Sequence, residues 1–309
     1  MIIYKYIGQK GAIKTIKKNA VLLNFPDAYN DPFDCAFFTN EEERRKAFDL
    51  FMNYQCFKEF YSYLIKGNKP VTKNKLLAKV QKKSLKEIAE RITNEKVYKY
   101  NLEISGYYNV YKLIFRKNDK ELKKQFNIVI DNVYKTIRQR LLVSCFSLNN
   151  DSILMWSHYA QNHRGACIEF EIEDKNFDSV KYSKDMYDLK LSELLGYIFG
   201  GEVAKEKLDY EGDSLRFVLG PLLTKSEEWA YEEEVRCVFS NKHRDERIFS
   251  YYKRLLLKMP PIKRIIVGCK ADRDFIKDIK EVSGSIPISQ MKIVDGEYKL
   301  VEAPLNKTT

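Results

Sequence analysis

The sequence predicts an α+β protein, with a mixed, mainly antiparallel sheet core and a basic helical insertion. Three observations predict it. Short apolar runs rich in branched and aromatic residues recur near the start of the chain and again from residue 141 onward. Between them, residues 41–140 place apolar side chains at helical spacing. Strands and helices alternate irregularly, without the βαβ rhythm of a doubly wound parallel sheet. The expected organisation is one α+β core from 1–40 and 141–309, with 41–140 as an insertion or subdomain.

In order, Tyr4–Ile7 reads as a strand, Gly8–Lys18 as a short helix and Ala20–Leu23 as a second strand. Phe25 to Asp34 holds two prolines and several Asx residues, a turn-rich loop. Thr39-Asn40 can cap a helix over Glu41–Tyr54. Helical periodicity returns over Leu76–Ile92 and from Leu122 to Ile137. Leu141–Ser147 is a strand, and Asp151-Ser152 caps a helix over Ile153–Asn162. Gly165–Ile172 and the shorter Val180–Tyr182 read as strands. Leu189–Leu223 is helical with a break at Gly200-Gly201. After a Glu-rich segment come a strand over Val235–Phe239, a strand at Arg264–Cys269 and a helix over Asp272–Val282. Strands at Ile286–Ile293 and Tyr298–Val301 complete the chain.

A chain of 309 residues with 21 Tyr and 18 Phe can bury a large core. No apolar run is long enough to span a bilayer, and the first residues lack the pattern of a signal peptide, so a cytoplasmic protein is expected, with no membrane partner. Six cysteines are scattered without a Cys-x-x-Cys pair, which fits reduced core thiols and not a zinc site. The net charge of +11 is uneven. Lys69–Arg140 holds 19 Lys and Arg against 7 Asp and Glu, a balance of +12, so the remainder is close to neutral. Tyr98, Tyr100, Tyr107, Tyr108, Tyr111 and Phe115 lie in that segment. Cations interleaved with aromatics suit a nucleic-acid strand, and a helical core accounts for the same residues.

The most informative stretch is Ser226–Arg236, with five glutamates in eight positions beside Trp229 and Tyr231. On a strand, Glu232, Glu234 and Arg236 share a face. Charges at the mouth of a buried strand cost stability unless they are paired or used. A helix end with solvated glutamates is the plainer reading. Trp156, Tyr159 and His163 fall on one helical stripe that could stack a flat ring. His158 and His163 are five apart, which does not suit two metal ligands on adjacent turns. Asp31, Asp34, Glu232 and Glu234 could converge as a metal-binding carboxylate cluster of nuclease type. Cys145 has no glycine-framed turn around it, which weakens a nucleophilic role.

Three segments carry a resemblance. They are Phe25-Pro26 with Tyr29-Asn30-Asp31-Pro32-Phe33-Asp34, then Cys145-Phe146-Ser147 with Met155–Ala160 and His163-Arg164-Gly165, then Lys225 with Trp229–Arg236. Together they resemble the bacterial family called domain of unknown function 2971, which implies no settled activity. A looser order of residue types resembles ADP-ribosyltransferases: a clamp residue on an early strand, a Ser-containing strand, an aromatic helix and a late Glu-x-Glu. Lys5 or Tyr6, then Ser144 with Ser147, Tyr159 and Glu232-x-Glu234 fall in that order, while the early Arg or His of those enzymes is absent.

That second resemblance implies NAD as cofactor. Glu234 would stabilise charge on the ribose and Glu232 would activate the acceptor. Tyr4, Lys5, Tyr6, Ser147, Trp156, Tyr159, His163 and Arg236 would surround the cofactor. A toxin or phage-defence effector modifying nucleic acid, with an antitoxin or immunity partner, is the expectation; a metal-dependent nuclease and a non-enzymatic nucleic-acid-binding module are the alternatives.

Overall fold

A computed structural model describes residues 1–52, 119–195, 213–241 and 245–305. The chain forms two compact units. The first comprises Met1–Ala36, Thr136–Met186 and Leu222–Thr309, and the second Phe37–Lys135 and Tyr187–Pro221. The fold is α+β, with a mixed and mostly antiparallel sheet.

The strands of the first unit are β1 (Ile2–Ile7), β2 (Ala20–Leu23), β3 (Leu141–Ser147), β4 (Ala166–Glu171), β5 (Phe177–Ser179), β6 (Lys181–Ser183) and β7 (Thr224–Ser226). They continue with β8 (Glu234–Ser240), β9 (Ile248–Tyr251), β10 (Arg254–Lys258), β11 (Ile262–Val267), β12 (Ile288–Ile293) and β13 (Leu300–Pro304). Eight of them form one sheet in the order β13-β12-β11-β4-β1-β3-β8-β5, in which only β11 and β12 run parallel. A three-stranded sheet, β2-β10-β9, and a parallel pair, β6-β7, complete the unit.

Alternation along the central strands divides the core between two faces. Ile3, Ile168, Phe170, Val235 and Cys237 pack on one face with Ala12 and Ile16 of helix Gln9–Lys18 and with Phe275 and Ile279 of helix Arg273–Ser283. Asp272 caps the latter helix by accepting from Phe275 N at 2.8 Å. Tyr6, Cys167, Ile266 and Met291 form the other face, under helix Ile153–Tyr159.

β1 and β4 pair along six positions, but β1 and β3 are in register only at Tyr4↔Ser147. Beyond that pair the strands fork. Asn24 takes the place of a ladder partner on β3, exchanging both backbone hydrogen bonds with Val143 at 2.9 and 2.8 Å. The sheet is therefore two ladders, β13-β12-β11-β4-β1 and β3-β8-β5, joined at one point.

Several expectations are corrected here. The helix after Ser152 ends at Tyr159, because Gln161, Asn162 and His163 all have positive φ (53°, 54° and 66°). Left-handed backbone cannot continue a right-handed helix. Gly165 ends this turn against β1, where a Cβ would lie 2.2 Å from the Ile7 carbonyl oxygen. The sequence reading also missed β5, β7, β9 and β10. Hairpin β9–β10 turns through Tyr252 and Lys253, both with positive φ, without the Asn or Gly that usually marks such a turn.

In the second unit the described helices cover 41–52, Asp119–Arg138 up to the unit boundary, 191–195 and most of Asp213–Leu222. Asn40 caps the first, its side-chain oxygen accepting from Glu43 N at 2.8 Å. Phe48 and Phe51 pack on Phe126 of the second. The helix expected over Leu76–Ile92, the aromatics from Tyr98 to Phe115, most of the basic segment and the Gly200-Gly201 break lie outside the described residues. No helix among those described is long and apolar enough to cross a membrane.

Candidate active site

The fork opens into a cleft of about 230 Å³. Tyr4, Lys5 and Tyr6 border it from β1, Ser144 to Ser147 from β3, and Tyr159 and Met155 from the helix. Asn24, Tyr29 and Asp34 close another side, and Lys225, Glu232 and Glu234 a third. Two side chains bridge the diverging strands. Lys5 Nζ donates to Ser144 Oγ at 3.0 Å and to the Cys145 carbonyl at 2.6 Å. Tyr6 Oη donates to the Asn149 carbonyl at 2.9 Å.

The charged wall is a chain of alternating sign. Arg236 lies at its buried end, with no exposed surface. Its Nε donates to Glu234 Oε1 at 2.8 Å and its Nη2 to Glu234 Oε2 at 2.9 Å, a bidentate pair. Nη2 also donates to Asp34 Oδ2 at 2.8 Å, and Nη1 to the Leu222 carbonyl at 2.7 Å. Lys225 then bridges Glu234 Oε2 at 3.2 Å and Glu232 Oε2 at 2.5 Å. Tyr159 Oη ends the chain by donating to Glu232 Oε1 at 2.6 Å.

Local backbone explains this convergence. Glu234 and Arg236 share a face of β8. Glu232 is not on the strand; it ends a 3₁₀ turn over Glu227–Glu232. Glu233 is left-handed (φ 43°, ψ 52°), and this kink turns Glu232 and Glu234 toward the same lysine. Tyr182 Oη accepts from Glu234 N at 2.7 Å where β8 begins.

The two carboxylates are held differently. Burial alone would raise the Glu234 carboxyl, but Arg236 and Lys225 overcome it and bring it down to about 2. Burial pushes Glu232 up, aided by the charge of Glu234 and only partly opposed by Lys225 and Tyr159. Burial likewise pushes the Tyr159 hydroxyl up, as do its hydrogen bond to Glu232 and that carboxylate's charge. The Cys145 thiol is pushed well up by burial, which makes it a poor nucleophile.

Of the residues singled out in the sequence, Tyr4, Lys5, Tyr6, Ser147, Tyr159, Glu232 and Glu234 border the cleft. Arg236 stands behind it as the anchor of Glu234. Trp156 does not reach it: the indole is fully buried, donates Nε1–H to the Asn150 carbonyl at 2.8 Å and meets Tyr6 edge-on. His163 is also elsewhere, because the helix ends before it; its Nε2 lies 2.8 Å from Ser157 Oγ. His158, read as lying on another side, is the imidazole beside the Glu-rich segment, 6.3 Å from the Tyr231 ring.

Asp34, Glu232 and Glu234 do converge, but on Lys225 and Arg236. Asp31 instead caps its own turn, accepting from Phe33 N at 2.9 Å. Among the described residues, no group of three or more His, Cys, Asp or Glu side chains is arranged to hold a metal ion. Sequence reasoning missed Lys225 as the bridging cation. Its signal was its place at the head of the third segment of the family resemblance, seven residues before Glu232 and across a 3₁₀ turn that periodicity does not reveal.

Comparisons with known proteins support part of the resemblance. A family model described as "Protein of unknown function (DUF2971)" matches residues 155–237, a span containing helix Ile153–Tyr159 almost entirely, Lys225, Glu232, Glu234 and Arg236. The resemblance to ADP-ribosyltransferases is not supported. No curated protein and no solved structure matches the chain. Over residues 155–237 the chain is similar to that family of unknown function.

Proposed function

We propose that the cleft cleaves the bond between a ribose and its base, with NAD as the substrate and transfer of the ribosyl group to an acceptor. The observation that carries this reading is the pair Glu232 and Glu234. They border one cleft, and their surroundings push their protonation equilibria in opposite directions. Such divergence separates an acid/base from a permanent anion.

Bound in the cleft, NAD supplies a base that can leave as neutral nicotinamide. Glu234, kept ionised by Arg236 and Lys225, faces the positive charge that builds on the sugar carbon as that bond breaks. Because both its oxygens are already held, it need not reorganise as the charge develops. Glu232, with its raised carboxyl, takes the proton from the incoming hydroxyl or water. Tyr159 orients Glu232, while Tyr4, Ser147 and Asn24 offer polar groups to a sugar. A cleft of about 230 Å³ suits the ribose and base end, since sites enclosing larger ligands run to roughly 300–1,000 Å³. The remainder of the dinucleotide would lie outside it.

The acceptor in this reading is nucleic acid, attracted by the +12 balance between Lys69 and Arg140, as in a toxin or phage-defence effector. The test is to incubate the full chain with NAD and follow free nicotinamide, alone and with RNA or DNA. Release by the wild type and its loss in Glu232→Gln support the proposal. No release under any condition, or release unchanged in Glu232→Gln plus Glu234→Gln, overturns it.

A further inference from the structure

Lys5 is the charged side chain of the cleft that the Glu234 network does not use. Its Nζ has two hydrogen-bond partners, the Ser144 hydroxyl and the Cys145 carbonyl, and both are neutral acceptors. No described carboxylate pairs with it, whereas Lys225 across the cleft has Asp34, Glu232 and Glu234 around it. The Phe146 ring lies 5.0 Å away. Two acceptors match the two protons of a neutral amine and leave its lone pair unengaged. An ammonium in the same place would have for its third proton the face of the Phe146 ring and no oxygen acceptor.

We infer that Lys5 is a carbonyl-reactive amine, and that the cleft takes a small hydroxyaldehyde as an imine on Lys5 Nζ. The lone pair attacks the carbonyl carbon, and one N–H proton passes to the carbonyl oxygen to give a carbinolamine. The hydroxyl then leaves as water with the second N–H proton, and the C=N bond forms. No oxidant or further reactant is needed. The hydroxyls of such a ligand have Tyr29, Asn24 and Ser147 within the same cleft. Burial holds the Lys5 ammonium below its ordinary range, and the Glu234 carboxylate pulls only partly against it.

The experiment is reductive trapping on the full wild-type chain. The protein is treated with glycolaldehyde and cyanoborohydride at pH 6.5 and 7.5, and adducts are mapped on peptides by mass spectrometry. Severalfold more adduct on Lys5 than on the exposed Lys10 and Lys17 supports the inference, as does the loss of that adduct alone in Lys5→Arg. An unmodified Lys5, or one modified no faster than Lys10 and Lys17, overturns it. Trapping requires neither NAD nor Glu232, so its outcome is independent of the ribosyl-transfer reading.

Discussion

Two arginine–carboxylate clusters lie on the same eight-stranded sheet, and they differ chiefly in burial. On β11, Arg264 donates to Glu169 of β4, with Nε to Oε2 at 3.0 Å, and to Glu302 of β13 at 2.7 Å. On β8, Arg236 holds Glu234 and Asp34. The Arg264 side chain is 33% exposed and its partners 13% and 23%. Arg236 is 0% exposed, with Glu234 at 4% and Asp34 at 7%. Water screens the first cluster, so it holds strand edges together at modest gain. The second has lost its water, and each member depends on the others for its charge state. Glu234 and Asp34 of the second border the cleft. The same residue types thus form a surface clasp in one place and a fixed electrostatic wall in the other.

The largest expected effect sharpens that contrast. Arg236→Met leaves Glu234 without its bidentate partner and strips Asp34 of its strongest one. Urea unfolding should show a loss of about 3–5 kcal/mol, the usual result of breaking a buried ion pair from one side. A loss below about 1 kcal/mol would mean that the wall behaves like the surface clasp.

Glu234→Gln comes next and has a pH signature. A carboxyl brought from an ordinary 4.5 down to about 2 stabilises the fold above 4.5, and that stability is lost as pH falls toward 2. The span corresponds to roughly 3 kcal/mol. Unfolding followed from pH 5 to pH 2 should therefore show a steeper decline in the wild type than in the variant.

Glu232→Gln separates function from stability. Lys225 keeps Glu234 and Asp34 in this variant, so stability should fall by only about 1–2 kcal/mol. Nicotinamide release should fall by about 10²–10⁴, the usual contribution of a general base. The smallest effect belongs to Arg264→Gln, at about 1 kcal/mol or less and diminishing with added salt.

The fold was legible where side chains alternate strongly. β1, β3, β4 and the helices Gln9–Lys18 and Arg273–Ser283 follow from their apolar pattern alone. Elements governed by unusual backbone were not. Tyr252-Lys253 adopts left-handed conformations without Asn or Gly, so nothing local announces the hairpin, and Gln161 and His163 share that conformation with Asn162, so the helix ends earlier than its apolar pattern implies. The latter removed His163 from a stripe that ideal periodicity had drawn through it.

Half of the site was legible, for a related reason. Glu234 and Arg236 share a strand face by simple alternation, and Tyr159 stands one turn from Met155 on the same helix. Lys225 and Asp34 come to the cluster from β7 and from the loop after Pro32, and no local pattern predicts a meeting across chain distances of this kind. The fork between β1 and β3 is likewise a fact of pairing. It arises because Asn24 occupies the backbone groups of Val143.

One charged wall holds two neighbouring carboxyls in different protonation regimes. Carbon-13 NMR titration of the glutamate carboxyls, assigned with Glu232→Gln and Glu234→Gln, measures it directly. The expected result is a Glu232 midpoint above 4.5 and a Glu234 midpoint near 2. Two midpoints together near 4.5, or the reverse order, would contradict it.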